Sequence, residues 1–567
     1  MNKITKSLLT KFSQEFELQR LSESVQFEHF ANFSITSKLF RGSFELEDIH
    51  TGGGNDLGLD GVLLLVNGRI ITELEQLNDI AEYSNYLDVD LCFVQAKTSS
   101  AFSGSDIGTF IRGVKYFLDE ESDTPQNDDV RKMREIWENL IEDKAHLMVN
   151  RNPSCKMYYV TTGRWVEDQH LNAILKSGKC ELEQLDLFDT VKIIPLGNRE
   201  IQSYYNDSKS KLQNTVKFSN RITLPDIDGV SEGYLGLINF KEYLALIQDE
   251  SQSIYSIFED NVRDFQGMND VNQKIKKTLE DKKYDLFCVL NNGVTVVADT
   301  ITAAGDRFTL RDYQVVNGCQ TSHVLHECQS LEGVEQVEVP IKIVVTESED
   351  VKTAIVLATN SQTEVKTEQL AALASFQREL EMYYEAEQPT FALYYERRSQ
   401  QFNGAGINRT KVVTIPNQIK AFASIFLKSP HLVSGYYGTI VNRFEGRIFD
   451  KGHVHIPYFV SSMCLYRIEQ FFRSGEIDPS YKKVRYHLML LVALLIEPEI
   501  HSYPLNSNKL EKACEKLKMA LLDDSDSLSL FKHAVLIYEE SPLDKSKRQY
   551  KAESDTEILL EFFQKRS

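Results

Sequence analysis

Short apolar runs and helical stripes alternate along the first third of the chain. Leu8, Leu9, Phe12, Phe16, Leu18 and Leu21, then Val25, Phe27, Phe30 and Phe33, recur at helical spacing over residues 8–33 and predict two helices. Val62-Leu63-Leu64-Leu65-Val66 and Leu91-Cys92-Phe93-Val94 are short, rich in β-formers and bounded by turn residues, which predicts two buried strands. The polar loop of residues 98–106 offers several N-caps. A helical stripe follows at Ile107, Phe110, Ile111, Val114, Tyr116 and Phe117. Residues 130–149 predict another helix, burying Met133, Ile136, Trp137, Leu140 and Ile141. Met157 to Thr162 and Thr190 to Pro195 read as strands. Strands alternating with helices predict one α/β domain, with the polar segment Tyr205 to Lys211 as its linker and residue 215 as its limit.

The pattern then changes. Leu286 to Leu290 and Val294 to Ala298 flank Asn291-Asn292-Gly293, which predicts a hairpin because Asn-Gly tolerates positive φ. A later strand ends in Gln314-Val315-Val316-Asn317 and turns into a helix near Thr321, and Val339 to Val345 reads as a further strand. Residues 415–567 read as helices, with 484–496 a buried one. The expected organisation is an α/β domain over 1–215, an α+β domain over 216–414 and a helical part over 415–567.

Composition changes this picture in two ways. A chain of 567 residues has room for two to four domains with their own cores. Its net charge of −20 repels polyanions, so any nucleic acid must meet a local basic groove. The longest apolar stretch, Leu488 to Ile496, is too short to span a bilayer, and no membrane partner is expected. Eight cysteines without a CxxC pair point to reduced thiols and a cytoplasmic setting.

Candidate chemistry concentrates between Gly52 and Lys97. The glycine-rich turn Gly52-Gly53-Gly54-Asn55-Asp56-Leu57-Gly58-Leu59-Asp60-Gly61 enters the first strand, and Gln95-Ala96-Lys97 ends the second. Residues two apart on a strand share a face, so Gln95 and Lys97 point together, and toward Asp60 if the strands are neighbours. A carboxylate, a second oxygen ligand and a lysine at adjacent strand ends can hold a divalent metal and steady an attacked phosphate.

These residues resemble the PD-(D/E)xK nucleases, in particular the Mrr-like branch, which carries D-x-G-x-D followed by Q-x-K. The matching positions are Asp56-Leu57-Gly58-Leu59-Asp60 and Gln95-Ala96-Lys97. The resemblance implies a restriction-endonuclease-like fold and a Mg²⁺-dependent (or Mn²⁺-dependent) endonuclease, with DNA ahead of RNA as substrate. It implies metal ligation by Asp60, by Gln95 as a neutral amide, and by an acidic residue of the preceding helix. Glu28 matches that place, with Glu23 in reserve. Lys97 would stabilise the phosphorane charge or orient the attacking water, and the neutral amide favours one metal over two.

A second resemblance covers roughly residues 230–430. E-D-N-V-R at 259–263, N-N-G-V-T at 291–295, V-V-N-G-C-Q-T at 315–321, A-T-N-S-Q-T at 358–363 and Tyr394-Tyr395-Glu396-Arg397-Arg398 resemble the AIPR (abortive infection phage resistance) family. This implies anti-phage defence without implying a chemistry. The order of strand, N-G-C-Q-T, helix, strand, helix, T-N-S-Q-T also looks like ParB-type nucleotide-binding folds. The expected arginines are replaced by Thr321 and Thr363, which argues against nucleotide hydrolysis.

Gly318 and the helix start after it suit an anion. Asn317, Gln320, Thr321, Asn360 and Gln362 are the other candidates for binding a nucleotide or phage-derived trigger. The amides of Asn317, Gln320, Asn360 and Gln362 can read a base or ribose, or can tie two loops together inside the fold. Cys319, His323 and His326 lack an evident fourth zinc ligand. Arg397-Arg398 face either a phosphate backbone or acidic neighbours, and the basic segment Lys545 to Lys551 is expected to be solvated. The combined reading is a homo-oligomeric defence nuclease regulated by its AIPR part. The alternative is a non-catalytic sensor that binds nucleic acid or nucleotide.

Overall fold

Asn2 and Ser22 cap the first two helices, their side chains accepting from the backbone N–H groups of Thr5 and Val25. The caps set the starts of α1 (Lys3–Glu15) and α2 (Glu23–Leu39). The structure, a computed structural model, describes all residues except 41, 85, 120–123, 150, 210–211, 249–253, 256, 258–269, 361–363, 398–400, 404, 434–439, 441–442, 445, 548–549 and 567.

The first sheet has the order β2-β1-β3-β4-β5. Its strands are β1 (Gly61–Val66), β2 (Arg69–Ile70), β3 (Val89–Lys97), β4 (Ser154–Thr161) and β5 (Thr190–Leu196). β1 runs antiparallel to β2 and β3, while β3, β4 and β5 are parallel. The intervening helices are α3 (Leu74–Tyr83), α4 (Gly104–Leu118), α5 (Asp128–Lys144), α6 (Gln169–Glu183) and α7 (Asn198–Lys209). Both faces are covered, which is why these strands read as continuous apolar runs. Val62, Leu64, Leu91 and Phe93 pack with Phe110 of α4 and Trp137 of α5. Leu63, Leu65, Cys92 and Val94 pack with Phe12, Phe30 and Tyr205. The domain is thus mixed α/β.

One expectation needs correction here, and one helix was not expected. The polar segment from Tyr205 is no linker up to Lys209: it is the last turn of α7, with Tyr205 and Ser208 buried. Its outward residues are polar because only one stripe of α7 meets the sheet. α6 escaped notice for the related reason that only Gly178 and Leu182 of it are buried.

The second sheet, of order β6-β10-β9-β11-β8-β7, begins at β6 (Gln213–Lys217) and β7 (Asn220–Thr223). It continues through β8 (Glu232–Asn239), β9 (Val294–Ala304), β10 (Arg307–Asn317) and β11 (Glu338–Val345). β9 and β11 are parallel and the other pairs antiparallel. Helices α8 (Phe240–Ile247), α9 (Asp270–Glu280), α10 (Phe287–Leu290), α11 (Cys319–Glu327) and α12 (Glu349–Asn360) accompany it. The hairpin expected around Asn291-Asn292-Gly293 is not formed. Residues 287–290 are one helical turn that buries Phe287 and leaves Val289 76% and Leu290 61% exposed, while β9 is already paired on both sides, by β10 and β11, and has no edge free for the run. Gly293, at φ +79°, instead turns the chain into β9, and the tight hairpin lies at Gly305 between β9 and β10.

The C-terminal core starts inside α13 (Glu364–Glu387), at Phe376. β12 (Tyr394–Glu396) pairs in parallel with β13 (Val412–Thr414), and α14 (Ile415–Phe426) follows a Thr414 cap. Helices Ile456–Ser474, Arg485–Ile496, Asn508–Leu522, Asp524–Glu540 and Glu553–Arg566 complete this part. It docks directly on the first domain. Glu17 receives Asn408 at 2.9 Å, Tyr466 at 3.3 Å and Arg473 at 2.9 Å. Asn417 donates to Glu45 at 2.7 Å, and Lys482 lies 3.5 Å from Glu47. The basic segment near the C-terminus is not simply solvated: Tyr550 is buried, and Lys551 bonds Glu75 of α3 at 2.6 Å. Glu17→Ala is expected to lower stability by about 1–2 kcal/mol, because it leaves the half-buried Arg473 unanswered. Urea denaturation measures this, and faster limited proteolysis between the two parts should accompany it.

Candidate active site

The glycine-rich turn is closed by Asp56. Its carboxylate accepts from Gly58 N at 2.8 Å and Gly53 N at 3.0 Å, so the first aspartate of the motif holds backbone. Leu57 takes a positive φ of 59° and its carbonyl presses against Gly113 of α4, where any side chain would collide with it. The turn delivers Asp60 to the head of β1, opposite the end of β3. Asp60 N donates to Val94 O at 2.9 Å, and Ala96 N donates to the Asp60 carboxylate at 2.7 Å.

Strand alternation sends Gln95 and Lys97 to the face that carries Leu91 and Phe93, the α4 face. Tyr159 of β4 stands in register with Gln95, and Thr161 with Lys97. Glu28 comes from α2. Four residues later on the same helix face, Asn32 donates to Asp60 O at 2.8 Å, which aims Glu28 at the head of β1. The Glu28 carboxylate lies 3.3 Å from His50 Nε2, and the His50 ring stacks on His29 with centroids 4.1 Å apart. Glu28, Asp60, Gln95 and Lys97 are therefore gathered at one place. Glu23 is not: it is exposed and faces Lys6 at 3.9 Å.

The electrostatics of this place are unusual. Burial, and then the charge of Glu28, push the Asp60 carboxyl up to about 7, against the pull of Ala96 N–H and Lys97. Burial and His50 hold His29 down to about 3. Gln95 Oε1, Tyr159 OH, Asn32 Oδ1 and His29 Nδ1 are buried and find no hydrogen-bond partner among the described residues. Buried polar atoms are normally satisfied, so orphans clustered around two carboxylates mark a place built for a cation, water or ligand. Such a donor set fits a hard divalent cation held by Asp60, Glu28 and the Gln95 amide. Among the described residues no group of three or more His, Cys, Asp or Glu is placed to hold a metal, so the amide would have to supply the third protein ligand. His50, Asn32 and Tyr159 were not anticipated. Only the i, i+4 spacing of Asn32 from Glu28 carried a signal in the sequence.

At the other sheet, β10 ends in Asn317 and α11 begins after Gly318, whose φ is +101°. A side chain on Gly318 would fall 2.7 Å from Val294 Cγ2, so the glycine serves the packing of α11 on β9. Gln320 accepts a hydrogen bond from the buried Asn272 of α9, and Thr321 is buried. These contacts favour the loop-tying role for Gln320.

No solved structure and no curated protein matches the chain. The model of the AIPR protein family matches residues 258–522. That segment resembles the AIPR family. It takes in the second half of the second sheet and most of the helical core, and none of the first domain. Within the AIPR domain, Asn360 ends α12, whereas Gln362, the E-D-N-V-R motif and Arg398 lie outside the described residues. Arg397 is salt-bridged to Glu381. Cys319 is buried, and His323 is held down to about 3 by burial. No helix among the described residues is long and apolar enough to cross a membrane.

The raised Asp60 carboxyl makes a stability prediction. Its folded value of about 7 exceeds the unfolded value of about 3.9, so the folded state holds the proton between them. Stability of metal-free protein therefore falls as the pH rises through that window. Asp60→Asn should melt higher than wild type in EDTA at about pH 8, and by a clearly smaller margin at about pH 5, the difference vanishing only below the unfolded value of about 3.9. Thermal melts at the two pH values check it.

Gly318→Ala should lose about 1–3 kcal/mol from strain at positive φ and the clash with Val294. Denaturant midpoints measure that loss.

Proposed function

We propose that the first domain, which ends with α7 at residue 209 because β6 (Gln213–Lys217) already belongs to the second sheet, is a restriction-endonuclease-like domain that hydrolyses phosphodiester bonds with a divalent metal, Mg²⁺ or Mn²⁺. We propose further that the AIPR domain regulates it in anti-phage defence. The reading is carried by one observation: β1 and β3 pair so that Asp60 lies against Gln95 and Lys97, with the Gln95 carbonyl oxygen buried and unanswered among the described residues. The AIPR match supports the defence role, since the family name denotes abortive infection.

A bound cation would activate water and neutralise charge on the attacked phosphate. The chain's own residues prepare for this. Asp60 and Glu28 repel each other until a cation lies between them, which favours binding over an empty site. The Ala96 N–H fixes the Asp60 carboxylate, and the half-buried Lys97 is left to meet the phosphate charge. His50 orients Glu28. DNA stands ahead of RNA as substrate, and the net charge of −20 requires a local groove for either.

Lys97→Ala should abolish cleavage of DNA and RNA by metal-loaded protein while leaving the melting temperature within a degree or two. Wild-type rates in that variant would end the nuclease reading. Mn²⁺ should raise the melting temperature of stripped wild type and not of Asp60→Asn. Gln95→Glu should stay active with an altered metal preference. An inactive wild type beside an active Gln95→Glu would instead indicate a binding protein.

A further inference from the structure

Between α1 on one side and Phe402 with residues 406–409 on the other lies a cleft of about 410 Å³, a volume within the range of small-molecule sites. Lys11, Glu15 and Lys209 line it from the first domain, and Phe402, Ile407 and Arg409 from the AIPR domain. The cleft is opposite in sign to the protein around it: three cations meet one carboxylate in a chain of net charge −20. Glu15 is already paired with Lys209, whose ammonium also lies 5.1 Å from the Tyr205 ring centroid. Lys11 and Arg409 are left over.

Arg409 is the telling residue. Its side chain makes no hydrogen bond or ion pair with any described residue. Burial lowers its pKa against the more distant charges of Glu396 and Glu15, and the Glu396 carboxylate is bonded to Ser43 at 2.8 Å instead. An Arg brought into a cleft without a carboxylate partner is poised for an external anion, and its fork suits phosphate oxygens. The Phe402 ring beside it adds a face on which a planar base can stack.

We propose that this cleft binds a small phosphorylated ligand of mononucleotide size, with Arg409 and Lys11 on the phosphate and Phe402 against the base. The site is separate from the Asn317–Thr321 loop and from the Asp60 cluster. Because its walls come from both parts, an occupant strengthens their contact and reports to the first domain through α1 and α7.

The test uses full-length protein and, as probes, the four ribonucleoside monophosphates, ADP, adenosine and inorganic phosphate, read by calorimetry and thermal shift. At least one nucleotide should bind saturably and raise the melting temperature. Arg409→Gln should weaken it by at least about tenfold and Lys11→Gln by severalfold. Ligand-free Arg409→Gln should melt at or above wild type, because it removes an unanswered charge, so lost binding is not lost folding. Asp60→Asn should bind the nucleotide as wild type does, so that nucleotide binding and cleavage can fail independently. No binding by any nucleotide at millimolar concentration, unchanged affinity in Arg409→Gln, or phosphate alone binding as tightly as the nucleotide would each overturn the proposal.

Discussion

The pairing of β1 with β3 is the constraint on which the candidate site depends. It is antiparallel and in register from Gly61 opposite Val94 to Val66 opposite Val89, and it is buried on both faces. Slipping it by one residue would turn each core side chain to the opposite face, so the hydrophobic pattern locks the register. That lock carries Asp60 to the Ala96 N–H and leaves its carboxylate beside the residues flanking Ala96. The cost is a buried carboxylate near a second one, visible in the raised Asp60 pKa. Functional sites commonly keep such locally unfavourable arrangements, held by well-packed surroundings.

The surroundings include the far end of the chain. Glu45 and Glu47 flank Leu46, a buried anchor, and a few residues later the chain supplies His50 to Glu28. Glu45 is solvent-exposed, and the like charges of Asp48 and Glu47 beside it push its carboxyl up. Lys482, 3.5 Å away, and then Arg473 pull the exposed Glu47 carboxyl down. The helical part of the AIPR domain therefore grips the segment that leads into the candidate site. Movement of Lys482 or Asn417 would reach His50 through a handful of residues, a short physical route for control.

The second sheet and the cleft between α1 and residues 402 and 406–409 place the AIPR domain between two roles. The Asn317–Thr321 stretch packs largely inward, with Gly318 against Val294 and Gln320 on Asn272. The cleft faces outward and carries Arg409, whose side chain makes no hydrogen bond or ion pair with a described residue. Motif residues can thus be chiefly architectural while ligand chemistry sits in a loop without a motif.

Local pattern alone determined the α/β layering of residues 1–209, the two site strands, the shared face of Gln95 and Lys97, and the N-caps that start the helices. Each rests on periods of two or 3.6 residues or on cap chemistry, which neighbours in sequence decide. The resemblance to the AIPR family was also legible over roughly residues 230–430, because it rests on ordered motifs, whereas the family match extends through the helices to residue 522. Tertiary structure decided the rest. Residues 287–290 became a helical turn because no strand edge was available to them, and α7 absorbed a polar segment because one stripe of it met a core. His50, Asn32 and Tyr159 joined the site through contacts between separate elements, and Arg409 and Lys11 met across nearly 400 residues of chain. Sequence periodicity reports which face of an element is buried. Which elements face one another follows only when the whole core is packed.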